Sequence, residues 1–119
     1  MKKRWVLLEH SESPEDKGGI HFDLLLEQED TCKSWRLSGL PLLDGPYVDS
    51  NLIQDHDMRW LEIDEEVLSG GRGKAKRVIK GFFSGEISSD IGFRIRISFS
   101  SDNSKGWLEI KNNICRIFS

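Results

Sequence analysis

The chain predicts an all-β fold: a compact, single-domain antiparallel β-barrel of about eight strands with little helix, covering residues 1–119. Three observations carry that prediction. Apolar and polar residues alternate with period two along most of the chain, as in half-buried strands. Gly, Pro, Asn and Asp punctuate these runs at short intervals. No segment keeps a helical period over ten residues. Many short strands without repeat or linker, in a chain long enough for one core, favour a closed or nearly closed barrel.

The first strand, 5–8, is Trp-Val-Leu-Leu and runs out at His10, before a polar loop holding Ser13-Pro14 and Gly18-Gly19. Residues 20–27 form the second strand and 32–37 the third. A turn-rich stretch from Gly39 to Gly45 follows. Alternation predicts a fourth strand over 58–63, then one helical turn over 64–68 capped by Asp64. The glycines of 69–73 precede a strand over 75–83. Residues 93–100 alternate without a break, and 101–106 make a polar turn. The last two strands, 107–111 and 114–118, are joined by Asn112-Asn113, since Asn tolerates positive φ in tight hairpins.

Composition bounds the function. Hydrophobic residues are 37% and charged residues 31%, with four Trp and six Phe supplying large buried areas. A net charge of −3 excludes a uniformly basic nucleic-acid binder but leaves room for local patches. Acids cluster at 12–16, 27–30 and 62–66, whereas 72–80 is strongly basic. The apolar run at 5–8 is too short for a signal-peptide core, and nothing approaches the ~20 residues of a membrane span. Cys32 and Cys115 lack metal or redox spacing and read as reduced thiols. A cytoplasmic monomer with no membrane contact is expected.

The segment His21-Phe22-Asp23-Leu24-Leu25-Leu26-Glu27 carries the chemistry. On a strand, His21, Asp23, Leu25 and Glu27 share one face, and an imidazole and a carboxylate two positions apart suit one metal ion. The barrel interior is where they would meet further ligands. Two His and a carboxylate are donors for Mn, Fe, Zn or Ni, with open positions for water or substrate. Taken singly, each of His10, His21 and His56 reads more readily as a surface or hydrogen-bonded structural histidine. Glu27 reads either as a partner orienting an imidazole or as a solvated strand end. Residues 69–74 could offer backbone N–H groups and cations to a phosphate, although a flexible hairpin explains them equally well. Lys74, Lys76, Val78 and Lys80 would share a face, as a basic ridge or a solvated strand. The four tryptophans read as core or barrel-mouth residues, with Trp60 the candidate for stacking.

The order of these pieces resembles the 3′-phosphoesterase domain of bacterial DNA ligase D and its free-standing relatives. The matching segments are Leu8-Glu9-His10, His21–Glu27, Cys32-Lys33-Ser34-Trp35, Asp55-His56 and the glycines of 70–73, over about residues 4–85. The resemblance implies a β-barrel with a Mn²⁺ site in which His10, His21 and Asp23 bind the metal and His56 contacts the substrate phosphate. It implies removal of a 3′-phosphate or a 3′-terminal ribonucleoside from DNA or RNA–DNA ends, leaving a 3′-OH for a DNA ligase or repair polymerase acting in trans. The chain departs from the family pattern at Leu25, where a phosphate-binding Arg is usual, and at Trp60, in place of a Tyr. Gln54 also departs, as does the longer loop 11–19. Lys33, Arg36, Arg59 and Arg72 are the cations available to fill the gap, and His56, Arg59 and Trp60 form the expected catalytic group. Two other readings stay open. One is a non-catalytic barrel that binds a nucleic-acid end or a partner; the other is a small non-haem iron oxygenase using His21, Asp23 and His56.

Overall fold

The computed structural model describes residues 2–11, 19–67 and 73–119. Its strands are β1 (Lys3–Ser11), β2 (Ile20–Glu27), β3 (Cys32–Leu37), β4 (Val48–His56), β5 (Glu65–Val67), β6 (Lys74–Ser84), β7 (Gly92–Phe99), β8 (Lys105–Lys111) and β9 (Ile114–Phe118). One 3-10 turn, Met58–Leu61, lies between β4 and β5. The strands form one antiparallel sheet in the order β1-β2-β3-β4-β9-β8-β7-β6-β5. Pairing of β1 with β6 closes eight of them into a barrel-like ring, with β5 left as a short strand on β6. The ring is thinnest at β4/β9, where only Val48↔Cys115 and Asp49↔Ile114 pair. Among the described residues, no helix is long and apolar enough to cross a membrane.

Alternation decides which residues face inward. Trp5, Leu7, Leu24, Leu26, Trp35, Leu37, Phe83, Ile95, Leu108 and Ile117 come from seven strands and pack as one core. That core is the ring interior. Trp5 is locked there by a 3.0 Å hydrogen bond from its indole N–H to the Ser98 carbonyl. Gly81 lets these strands meet: a Cβ there would lie 1.7 Å from Ser98 O and 2.7 Å from Trp5 Nε1. A second, smaller apolar cluster of Val6, Leu8, Leu25, Cys32 and Leu61 lies on the opposite face of β1–β3. The 3-10 turn covers it with Met58, Trp60 and Leu61. Burial pushes the Cys32 thiol up to about 11 and the Cys115 thiol up to about 12. Both cysteines are free and buried.

Three local expectations are corrected. Residues 58–63 do not make a strand, because the Asp57 side chain accepts the Arg59 N–H at 3.2 Å and caps a 3-10 turn instead. The helical turn expected at 64–68 is replaced by β5, whose Glu65 and Glu66 pair with Lys76 and Ala75. Strand β4 was not foreseen: of its nine residues only Ser50 is buried, so it carries no apolar alternation. The hairpin at Asn112-Asn113 forms as expected, with Asn112 at φ 57°.

The basic ridge is also broken. β6 takes an extra residue opposite Leu7–Leu8, so Leu7 pairs with Ile79 and Leu8 with Arg77. This bulge puts Arg77 on the face of Lys80 and leaves Lys74 and Lys76 on the other. Arg77 donates to the Leu61 carbonyl at 2.7 Å and to Asp64 at 2.5 Å, tying the 3-10 turn to the sheet.

Candidate metal centre

The His-x-Asp face of β2 points out of the ring, away from the interior where convergence was expected. Leu8 pairs with Asp23 and belongs to the outer cluster, while Leu24 and Leu26 belong to the core. On this outer face the register collects the candidate residues. His10 pairs directly with His21, and their ring centroids are 4.7 Å apart. Asp23 pairs with Arg36 on β3, whose Nε lies 3.4 Å from Asp23 Oδ1. Ala75, the β6 residue opposite His10, is small and buried, which leaves room beside the imidazole.

His56 reaches the same face through a bulge. Ser34 pairs with Ile53 but Cys32 pairs with His56, so β4 carries one residue more than β3 across this interval. Without it, alternation would turn His56 to the other side of the sheet. His56 Nε2 lies 3.6 Å from Asp23 Oδ2, and His21 Nε2 lies 3.9 Å from Asp23 Oδ1. Asp23 is therefore flanked on both oxygens while only 3% exposed.

The hydrogen-bond chain through Ser34 fixes the His56 tautomer. The buried Ser34 hydroxyl donates to the Cys32 carbonyl at 2.9 Å, so its oxygen accepts from His56 Nδ1–H at 2.8 Å. Nε2 is then left to face the carboxylate. A bare lone pair against a carboxylate oxygen is repulsive, so the pair is stable with a proton on Nε2 or with a cation between the two atoms.

Electrostatics agree with a ligand set. Burial alone would raise the Asp23 carboxyl, but the His56 imidazole, Arg36 and His21 outweigh it and hold Asp23 below its ordinary range. Burial lowers His10, and neighbouring His21 adds to the effect, so His10 is neutral at neutral pH. Its Nδ1 is buried with no hydrogen-bond partner among the described residues. A neutral imidazole with a buried nitrogen lacking a partner, a carboxylate held ionised and a fixed His56 tautomer are donor types that a divalent ion takes. The fit is loose. Donors on one ion with bonds of ~2.0–2.2 Å sit roughly 3–3.5 Å apart, so the 3.6 and 3.9 Å separations must contract slightly. Accordingly, among the described residues no group of three or more His, Cys, Asp or Glu side chains is placed to hold a metal ion as it stands. His10 lies against His21 rather than remote from it, so the set is not the His21/Asp23/His56 triad alone that an iron oxygenase would require.

The other candidates separate. Lys33 lies on the opposite side of β3 and pairs with Asp90 at 2.5 Å, so it is not part of this face. Arg59 pairs with Glu66 at 3.1 Å and stacks over Trp60, 4.8 Å from the ring centroid. Trp60 in turn meets His56 edge to face at 6.4 Å. Trp60 and Arg59 thus wall the site rather than enter it. Glu27 takes neither expected role: it accepts from the Arg4 backbone N–H at 2.7 Å and from its guanidinium. Leu25 is fully buried in the outer apolar cluster. Arg36 lies opposite Asp23 rather than Leu25, and its Nη groups hydrogen-bond to nothing among the described residues. Of the glycine-rich cradle 69–74, residues 69–72, Arg72 among them, lie outside the described residues. Ser34 escaped sequence reasoning as a functional residue, because only the β2/β3 register reveals that it shares the Asp23 face. Compared with known families and curated proteins, the chain matches no family model and no curated sequence.

Proposed function

We propose that this chain is a divalent-metal phosphoesterase that trims nucleic-acid 3′ ends, removing a 3′-phosphate or a terminal ribonucleoside. One observation supports this most: three imidazoles and a buried carboxylate from β1, β2 and the end of β4 meet beside a half-exposed arginine on β3. His10, His21 and Asp23 would hold the ion, with Mn²⁺ favoured by a carboxylate donor and a phosphate substrate. The ion would polarise a phosphoryl oxygen and lower the pKa of a bound water. Arg36 keeps its Nε on Asp23 and offers its Nη groups to a phosphate oxygen. His56, anchored through Nδ1–H on Ser34, would as the imidazolium present Nε2–H as donor to the phosphate or leaving oxygen. A clean 3′-OH would then serve a ligase or repair polymerase in trans.

Incubation with Mn²⁺ and a labelled primer ending in a 3′-phosphate or one 3′ ribonucleotide tests the reading. Shortening or dephosphorylation is expected, and Asp23→Ala should abolish it. End products no more abundant than with Asp23→Ala would overturn it. The apolar Leu25 and the acids Asp55 and Asp57 flanking His56 favour a second reading, in which the site binds an end without turnover. Mn²⁺-dependent primer binding with no product under single-turnover conditions would select it.

A further inference from the structure

The outer face of β7, β8 and β9 is a separate basic and aromatic surface. Alternation places Arg94 and Arg96, then Lys105, Trp107, Glu109 and Lys111, then Arg116 and Phe118 on the side facing away from the core. Five cations stand against one carboxylate there, a net +4 in a chain whose total is −3, leaving −7 for the remainder. Glu109 is taken up by Arg94 and Arg116 at 2.9 Å each. Arg96, Lys105 and Lys111 have no ion-pair partner among the described residues.

The aromatics lie among these cations in register. Arg96 pairs with Trp107, which pairs with Phe118, while Phe82, Ser98 and Lys105 form the adjacent row. Phe82 is 44% exposed. The Arg96 guanidinium sits 4.6 Å over the Trp107 ring, and Arg116 sits 4.5 Å over Phe118. Flat rings and guanidinium planes on one exposed sheet face can stack bases, and unpaired lysines can take phosphates.

We infer that the outer face of β7–β9 is a binding surface for single-stranded nucleic acid. Charge complementarity selects this occupant: a local +4 in a chain of net −3 draws a polyanion to this arc of the ring. Aromatic rings beside the cations select a polyanion that carries bases. The surface holds the strand without using the His10–Asp23 cluster, so it stands whether or not that cluster is catalytic.

Anisotropy titration of a labelled oligothymidylate, with chelator present and at several salt concentrations, tests this. Binding at low salt is expected, with Arg96→Ala and Lys105→Ala each flattening the log–log salt slope by about 0.7. Trp107→Ala should weaken binding about tenfold. Lys105 is exposed and makes no side-chain bond among the described residues, so Lys105→Glu tests the surface without threatening the fold. Absence of binding at low salt, wild-type affinity in Lys105→Glu, or equal affinity for polyglutamate would overturn the inference.

Discussion

Replacing Ser34 by Ala removes one atom on which the candidate site depends. The Ser34 hydroxyl is fully buried and bridges His56 Nδ1, at 2.8 Å, to the Cys32 carbonyl, at 2.9 Å. Its loss leaves two groups short of a partner. A buried orphan costs about 1–3 kcal/mol, but His56 is partly exposed and can turn to water, so about 2 kcal/mol in total is the reasonable sum. With a urea dependence of about 2 kcal/mol/M for a small domain, the unfolding midpoint should fall by ~1 M. The second consequence is functional. Without its acceptor, Nδ1 no longer fixes how His56 meets the phosphate, and loss of one positioned donor lowers turnover about 10²- to 10³-fold. Urea denaturation followed by Trp fluorescence reads the first effect, and trimming of the labelled primer with Mn²⁺ the second. Histidine ¹⁵N correlations should show the Nδ1–H tautomer of neutral His56 in the parent and a mixture in Ser34→Ala. An unchanged midpoint together with an unchanged tautomer would refute the hydrogen-bond chain.

Two further outcomes follow from the geometry. Gly81→Ala should cost about 3 kcal/mol or more by thermal melting, since its Cβ would meet the Ser98 carbonyl at 1.7 Å and the β6/β7 backbones must separate; a parent-like melt would show that these strands do not approach so closely. Stability of the metal-free protein should fall on acidification. His10 is held below its ordinary 6.5 by burial, so the unfolded chain binds more protons between the two values. The loss therefore begins as pH drops through about 6.5 and levels off below the folded value, and His10→Gln should flatten this window. Asp23, held below its ordinary 3.8 by His56, Arg36 and His21 against the effect of burial, adds a second loss below about pH 3.8.

The strands with one buried face were legible because the pleat forces alternation: β7 and the β8–β9 hairpin show it in sequence and in burial. β4 was not, because its side chains are mostly exposed and its pairing is set by backbone bonds to β3. Residues 58–63 alternate too, but capping by Asp57 and the packing of Met58 and Leu61 against the outer cluster won over period two. The shared face of His21 and Asp23 could be read directly, and that of His10 only once its pairing with His21 was known. Which side of the sheet that face occupies could not be read. Leu25 is apolar like its neighbours, and only the position of the 3-10 turn makes its side a second, outer core. The β-bulges that bring His56 and Arg77 to their places leave no mark in composition, because each depends on where a partner strand's register slips.

A crystal structure of the protein grown with Mn²⁺ tests the central claim most directly. One ion is expected on His10, His21 and Asp23, with Arg36 and His56 beside its open positions. A saturating Mn²⁺ soak that leaves Asp23 without an ion, or places the ion on other residues, would contradict it.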